Sequence, residues 1–266
     1  MTKLSIITIN YNNADGLQKT IKSVISQTFK NFEYIIIDGH SSDKSIDVIK
    51  ENENYFAYWC SEKDSGIYDA QNKGIQKAKG DYLLFLNSGD CLENEKVLEK
   101  VFALTPKEDL LYGELIFDFG THKKLSNLPD KLTIEYLFRD NIWHPASFIK
   151  RILFEKYGNY DIRYKICADY DFFFKVICIH NISTLHLNFP ISIYDTTGLS
   201  SNEDSLKKID AERKQIHKYY LKDDEYTYLD NLSKFKIKSL SKFLVNKFFL
   251  TSIFNRMLKL YSKFTN

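Results

Sequence analysis

Residues 61–90 read SEKDSGIYDAQNKGIQKAKGDYLLFLNSGD, and this stretch decides the fold. It opens with an acidic loop around Asp64. Ile67 to Lys79 then carries the apolar spacing of an amphipathic helix, and Gly80 suits the position just past a helix end. Tyr82 to Asn87, YLLFLN, is a buried strand, and Asp90 stands at its carboxyl end. Open α/β sheets take their ligands in the crevice outside the carboxyl ends of the strands. A hard divalent cation wants oxygen ligands, and Mg²⁺ commonly takes one or two carboxylates plus substrate phosphates. Asp90 is therefore placed to hold such a cation against a diphosphate. The alternative is a turn aspartate before a helix that starts at Glu93.

The same alternation extends toward the N-terminus. Leu4 to Asn10 is a short apolar, β-branched run, and Glu33 to Asp38 is a second. Between them Ala14 to Gln27 has Leu17, Ile21, Val24 and Ile25 at helical spacing, with Asn12, Asn13 and Asp15 as capping residues. Ser45 to Lys50 begins a helix, and Tyr55 to Cys60 predicts a short strand. Strands and helices alternating through short connections predict a mostly parallel α/β sheet with helices on both faces. Beyond Asp90 the order loosens. Helices are predicted over Glu93–Leu104, Leu132–Phe138, Ala168–Cys178 and Glu203–Leu221. Leu110–Phe119 predicts a strand or a hairpin around Gly113, and Leu185–Tyr194 a further strand.

The chain has 266 residues, enough for one large domain, or a domain plus an appendage, with a sizeable core. Its 44% hydrophobic and 27% charged content is that of an ordinary folded protein, which excludes a disordered or fibrous chain. Cys60, Cys91, Cys167 and Cys178 have neither CxxC pairing nor zinc spacing, so they read as buried reduced thiols of a cytosolic protein. No secretory leader opens the sequence, and no apolar run approaches the ~20 residues of a membrane span.

Several polar residues sit where chemistry could occur. Asp38 ends a strand and precedes Gly39, Ser41, Ser42 and Asp43. It could meet a ribose or a base, or serve the turn. Asp64 precedes a helix and could cap it. Gly74 lies inside that helix at a cost of ~1 kcal/mol relative to Ala, a sign that a backbone or ligand comes close. Lys73 beside it could meet a phosphate or face solvent. Asp169 and Asp171, in ICADYDFFFKV, open an apolar helix. They could answer the helix dipole or supply a general base. His144, in WHPASF, is an alternative base or a structural imidazole.

Four segments in this order, SIITINYNNADGLQKTIKSVISQT, IIIDGHSSDKS, EKDSGIYDAQNKGI and GDYLLFLNSGD, resemble the family 2 inverting glycosyltransferases of GT-A fold. The resemblance covers roughly residues 3–200 and is nearest to transferases of bacterial exopolysaccharide and colanic-acid type. It implies a GT-A domain over residues 1–202 and a C-terminal helical appendage over 203–266. It also implies that Thr8, Asn10 and Tyr11 line a nucleotide pocket, that Asp38 binds the base, and that Asp64 and Lys73 border the ribose and diphosphate. His144 joins this nucleotide-sugar set. NSGD takes the place of the family's D-x-D motif, so Asp90 would bind Mn²⁺ or Mg²⁺, with Asn87 in place of the first acid. ADYD takes the place of the E-D motif, with Ala168 for the glutamate and Asp169 as base, leaving room for Asp171. Thr196–Ser201 resembles a loop that closes over the donor.

The implied reaction is a single in-line displacement from a UDP- or GDP-sugar to a saccharide or lipid-linked acceptor in surface polysaccharide synthesis. Other readings are a non-catalytic nucleotide-sugar binding protein, or a nucleotidyltransferase on a similar sheet. From Asn231 on, the chain carries eight Lys and Arg and no acid, so the net +2 divides into +8 there and −6 before it. Ile237, Leu240, Leu244 and Phe248 fall at helical spacing among those lysines. That predicts contact with an anionic membrane surface, or a helical pair packed on the domain. The expected location is cytoplasmic, peripheral on the inner face of the cell membrane. No feature of the chain points to nucleic acid.

Overall fold

A computed structural model describes residues 2–196 and 203–234 of the protein. The chain divides into two compact units, Met1–Ile216 and a second that starts at His217. In the second unit, residues 223–234 are helical. The basic stretch predicted to meet a membrane lies almost wholly outside the described residues, as does the loop after Thr196.

The first unit begins as predicted. Strand β1 is Leu4–Asn10, helix α1 Ala14–Ile25, β2 Phe32–Asp38 and α2 Ser45–Glu51. Then come β3, Tyr58–Ser61, α3, Ile67–Lys77, and β4, Tyr82–Phe85. The remaining strands are β5 Cys91–Leu92, β6 Leu110–Asp118, β7 Lys123–Leu125, β8 Ser147–Lys150 and β9 Thr184–Asp195. The remaining helices are α4 Val97–Ala103, α5 Ile134–Leu137, α6 Arg151–Tyr157, α7 Ala168–Phe174 and α8 Glu203–Tyr220.

All the strands form one sheet in the order β3-β2-β1-β4-β8-β6-β9-β5, with β7 on β6. The pairs β3–β2, β2–β1 and β1–β4 are parallel. Beyond β4 the sheet is mixed, because β8 runs antiparallel to both β4 and β6 while β6 and β9 are parallel. The α/β sheet is as predicted, parallel through the N-terminal half, with antiparallel pairs added at β8, β5 and β7. Gly113 makes no hairpin. The register of β6 against β9 shifts there, and the turn comes later, between β6 and β7.

Alternation along β1 explains the layers. Leu4 and Ile6 join a core with Leu17, Ile21 and Val24 of α1, Ile49 of α2, and Leu98 and Val101 of α4. Ile7 points to the other face, toward α3. A Cβ on Gly74 would stand 2.4 Å from Cγ2 of Ile7, so the helix lies on the strand at a distance only glycine permits. Gly74→Ala gains ~1 kcal/mol of helix propensity but meets an overpacking cost of about 1–3 kcal/mol. A lower melting temperature is expected, readable by thermal denaturation. An unchanged or higher value would show that α3 can move off the sheet freely.

Gly80 has a different duty from the one its sequence position suggested. Helix α3 ends in Ala78, whose backbone is extended, while Gly80 lies against the backbone of β1. A Cβ there would come within 2.5 Å of the Ser5 nitrogen, and the Gly80 N–H donates to Ser5 Oγ at 2.8 Å. All four cysteines are free; Cys91 and Cys167 are buried, but Cys60 and Cys178 are only partly so. Among the described residues no helix is long and apolar enough to cross a membrane.

Candidate active site

Parallel β1, β2, β3 and β4 bring Asn10, Asp38, Ser61 and the 87–90 turn to one edge of the sheet. Asp38 is fully buried there, and its oxygens are engaged within the protein. Oδ1 accepts from Asn10 Nδ2 at 2.7 Å and Ser41 Oγ at 2.6 Å. Oδ2 accepts from the Ser41 N–H at 2.9 Å and Ser61 Oγ at 2.6 Å. Asp38 therefore builds the loop that follows β2. The groups facing outward above that loop are others. Tyr11 is 67% exposed, and a Cβ on Gly39 would lie 3.2 Å from its ring and 2.6 Å from Asp64 Oδ2. Gly39 thus leaves room for a carboxylate and an aromatic ring side by side. Asp64 Oδ1 accepts the Gly66 N–H at 2.9 Å, which closes the turn before α3 without capping the helix.

Asp90 is 3% exposed. Its Oδ1 accepts the Asp195 N–H at 3.2 Å, and its Oδ2 is buried with no hydrogen-bond partner. Burial pushes its carboxyl up to about 7, against the opposing pull of His144 and two backbone N–H groups. An orphaned oxygen on a buried acid fits a hard divalent cation, which would supply the missing partner. Sequence reasoning did not single out Asp195. Its carboxylate lies over Gly89, 3.3 Å from where a Cβ would stand, and its charge raises Asp90 further. Gly89 has φ +108, so a side chain there would be strained as well as crowded.

This buried acid makes a stability prediction. A carboxyl near 7 in the folded chain and near 3.9 in the unfolded chain costs nothing below pH 4, and the cost reaches its full size above pH 7. Asp90→Asn removes it. The metal-free variant is expected to melt higher than the wild type at pH 8, with the gain shrinking toward pH 4. Each kcal/mol recovered is worth about 2–4 °C at this chain length. A variant that melts lower at pH 8 would contradict the orphaned-oxygen account.

The third part of the site comes from the C-terminal half. Asp169 opens α7 and is 7% exposed. The Tyr68 hydroxyl of α3 shares its one hydrogen between the Ile166 carbonyl at 2.5 Å and Asp169 Oδ1 at 2.9 Å, and the Tyr170 N–H donates to Oδ1 at 2.8 Å. His144 Nδ1 lies 2.8 Å from its Oδ2. On the other side of the ring, His144 Nε2 is 3.2 Å from Asn87 Nδ2. Asn87, His144 and Asp169 are thus brought together, with Asp90 close enough to feel the imidazole. Burial first, and then the Asp169 carboxylate, hold the Tyr68 hydroxyl well above its usual range, so it stays a donor.

Residues 5–173 match the sequence model of the family described as Glycosyl transferase family 2. The chain belongs to that family. An uncharacterized glycosyltransferase of Mycobacterium tuberculosis is 35% identical over 209 residues, 76% of this chain and 78% of the relative. A PGL/p-HBAD biosynthesis glycosyltransferase of Mycobacterium bovis is 34% identical over 215 residues, 74% of this chain and 78% of its own. Among solved structures, Staphylococcus aureus TarS 1–349 in complex with UDP-GlcNAc aligns with a TM-score of 0.62. It is 16% identical and covers 84% of this chain and 68% of TarS 1–349. The mannosyltransferase PcManGT of Pyrobaculum calidifontis, in complex with GDP-Man and Mn²⁺, aligns at 0.55. It is 13% identical and covers 72% and 56%. The fold is GT-A, and the protein is a glycosyltransferase.

Within this glycosyltransferase the other sequence candidates divide. Thr8 is fully buried, its hydroxyl 3.0 Å from that of Tyr34, so it supports the sheet from within. Asn10 is 4% exposed and carries an unpartnered Oδ1 beside Asp38. Lys73 is tied into the Asp64 loop. Its Nζ pairs with Glu62 at 2.9 Å and donates to the Lys63 carbonyl at 2.8 Å. Asn72 clasps Tyr160 through both backbone groups, at 2.9 and 3.0 Å. Asp171 is buried two residues past Asp169, a spacing that does not share a helix face, and its charge acts on Tyr164 instead.

Proposed function

We propose that the protein is an inverting glycosyltransferase. It moves a sugar from a UDP- or GDP-sugar to a saccharide or lipid-linked acceptor in surface glycan or glycolipid synthesis, with Asp169 as general base. The observation that carries this reading is the state of Asp169. A carboxylate offers about four lone-pair positions. The Tyr170 N–H and the Tyr68 hydroxyl, the latter shared with the Ile166 carbonyl, occupy Oδ1, and His144 Nδ1 faces Oδ2 from one side. The remaining position on Oδ2 is available for an acceptor hydroxyl.

The chemistry then follows from the chain's own groups. The acceptor oxygen attacks the anomeric carbon as its proton passes to Asp169 Oδ2. The bond to the nucleoside diphosphate breaks on the opposite side, so configuration inverts. Tyr11, Asp64 and the loop held by Asp38 would receive the nucleoside. Asp90 would hold Mn²⁺ or Mg²⁺, whose part is to neutralise charge on the departing diphosphate. Among the described residues no cluster of three His, Cys, Asp or Glu could hold a metal alone, so the donor's phosphates would complete the coordination.

One relative named above is a PGL/p-HBAD biosynthesis glycosyltransferase, and the two solved structures are complexes with UDP-GlcNAc and GDP-Man, which supports a glycan or glycolipid product and a nucleotide-sugar donor. The basic C-terminal segment would place the enzyme on an anionic membrane face, peripheral on the cytoplasmic side, where a lipid-linked acceptor is found. On this reading residues 1–202 form the catalytic domain and 203–266 the appendage. A panel of nucleotide sugars with Mn²⁺ tests the proposal. One UDP- or GDP-sugar is expected to bind and to release its nucleoside diphosphate. Release of pyrophosphate would identify a nucleotidyltransferase instead, and binding without turnover, with or without acceptor, a non-catalytic module.

A further inference from the structure

Asn87 stands where the family motif described above has its first acid, yet its side chain faces His144, the partner of Asp169. Asn87 Oδ1 accepts from Gln71 Nε2 at 3.2 Å, which turns Nδ2 toward His144 Nε2, also at 3.2 Å. An amide N–H facing a ring nitrogen requires a lone pair on that nitrogen. The hydrogen of the neutral ring then sits on Nδ1, 2.8 Å from Asp169 Oδ2. Every donor in the series points toward the carboxylate. Water is largely kept out, since the His144 and Asp169 side chains are 12% and 10% exposed. Phe85 meets the ring edge-on, with 6.5 Å between centroids.

We propose that Asn87 is a positioning residue for the general base: with Gln71 behind it, it fixes His144 as the Nδ1–H tautomer that donates to Asp169. The proposal rests on Asp169 being the base. It explains why an amide suits position 87. A carboxylate there would still accept from Gln71 but would have no hydrogen to offer His144. The ring would then take a second proton, on Nε2, and would face Asp169 as a cation. A base paired with an imidazolium holds its own negative charge more tightly and accepts a proton less readily.

Restoring the acid should therefore harm the enzyme. Asn87→Asp is expected to lower kcat about 10- to 100-fold, the range for losing an outer partner of a reactive group, with donor KM little changed. A merely structural role would not move the second readout. In ¹⁵N-histidine spectra of the full chain without substrate, wild-type His144 should show a bare Nε2 and a protonated Nδ1. Asn87→Asp should show both nitrogens protonated. His144→Asn offers a rescue, because its amide nitrogen falls near the Nδ1 position and can still donate to Asp169. It should retain more activity than His144→Phe, and Asn87→Asp should add little in that background.

An Asn87→Asp enzyme that binds Mn²⁺ more tightly and turns over faster would overturn the proposal, placing position 87 with the cation. A wild-type ring protonated on Nε2 alone would overturn it too. Failure of the base reading shows elsewhere, as normal turnover by Asp169→Asn.

Discussion

Asp169→Asn is expected to lower kcat about 10³-fold, the middle of the range for loss of a general base, and to leave donor binding unchanged. The substitution keeps the shape of the side chain. Its amide oxygen can still accept from the Tyr170 N–H and face the Tyr68 hydroxyl, as Oδ1 does in the wild type. What is lost is the lone pair on Oδ2, because an amide nitrogen carries a hydrogen there instead. That hydrogen meets the His144 Nδ1–H, so the ring turns over its tautomer or moves away. Tyr11 and Asp64, proposed to receive the nucleoside, lie on the β1 and β3 side of the sheet edge, so donor binding should not change. Single-turnover assays with equilibrium donor binding measured alongside separate the two effects. Equal losses in binding and turnover would mean that Asp169 holds the site together and does not take the proton.

Asp90→Ala should abolish the effect of Mn²⁺ on donor binding and lower kcat by about 10²–10³-fold, the scale for removing one group that stabilises developing charge. Asp90 is the sole acid of the NSGD turn, and its Oδ2 has no partner within the protein. Alanine leaves the Asp195 N–H without its acceptor as well. Asp90→Asn keeps that hydrogen bond and makes the cleaner comparison, with the metal-free stability gain described above as a check that the variant is folded. If both variants bind the donor with wild-type dependence on Mn²⁺, the cation sits elsewhere or the reaction does without it.

The N-terminal half was legible because its information is local. β1, β2 and β4 are continuous apolar runs, each followed by a polar turn, and α1 and α3 have clear helical spacing. The strand-end acids Asp38, Asp64 and Asp90 come from that pattern alone. The C-terminal half depends on contacts far apart in sequence. β8, the four residues that directly follow WHPA, has no alternation long enough to identify, and it exists because β4 and β6 pair with it from either side. α6 follows directly and was missed for the same reason of length. Tyr68 and Gln71 were not singled out, although a glutamine within the buried stripe Tyr68, Gln71, Ile75 is a signal. Their partners, Asp169 and Asn87, are 101 and 16 residues away. His144 was noticed but not placed, because only the fold sets it between Asn87 and Asp169. The sequence leaves Asp38 open between a ligand and the turn; it faces inward because Ser41, in the loop after β2, and Ser61, at the end of β3, both reach it.

The anomeric configuration of the product tests the central claim most directly. Once a donor is identified, ¹H NMR of the transferred sugar, read at early times before any equilibration, reports whether the configuration has changed. A single displacement driven by Asp169 predicts inversion in every product molecule. Retention would require a second displacement or a front-face reaction, and would contradict the assignment of Asp169 as the base.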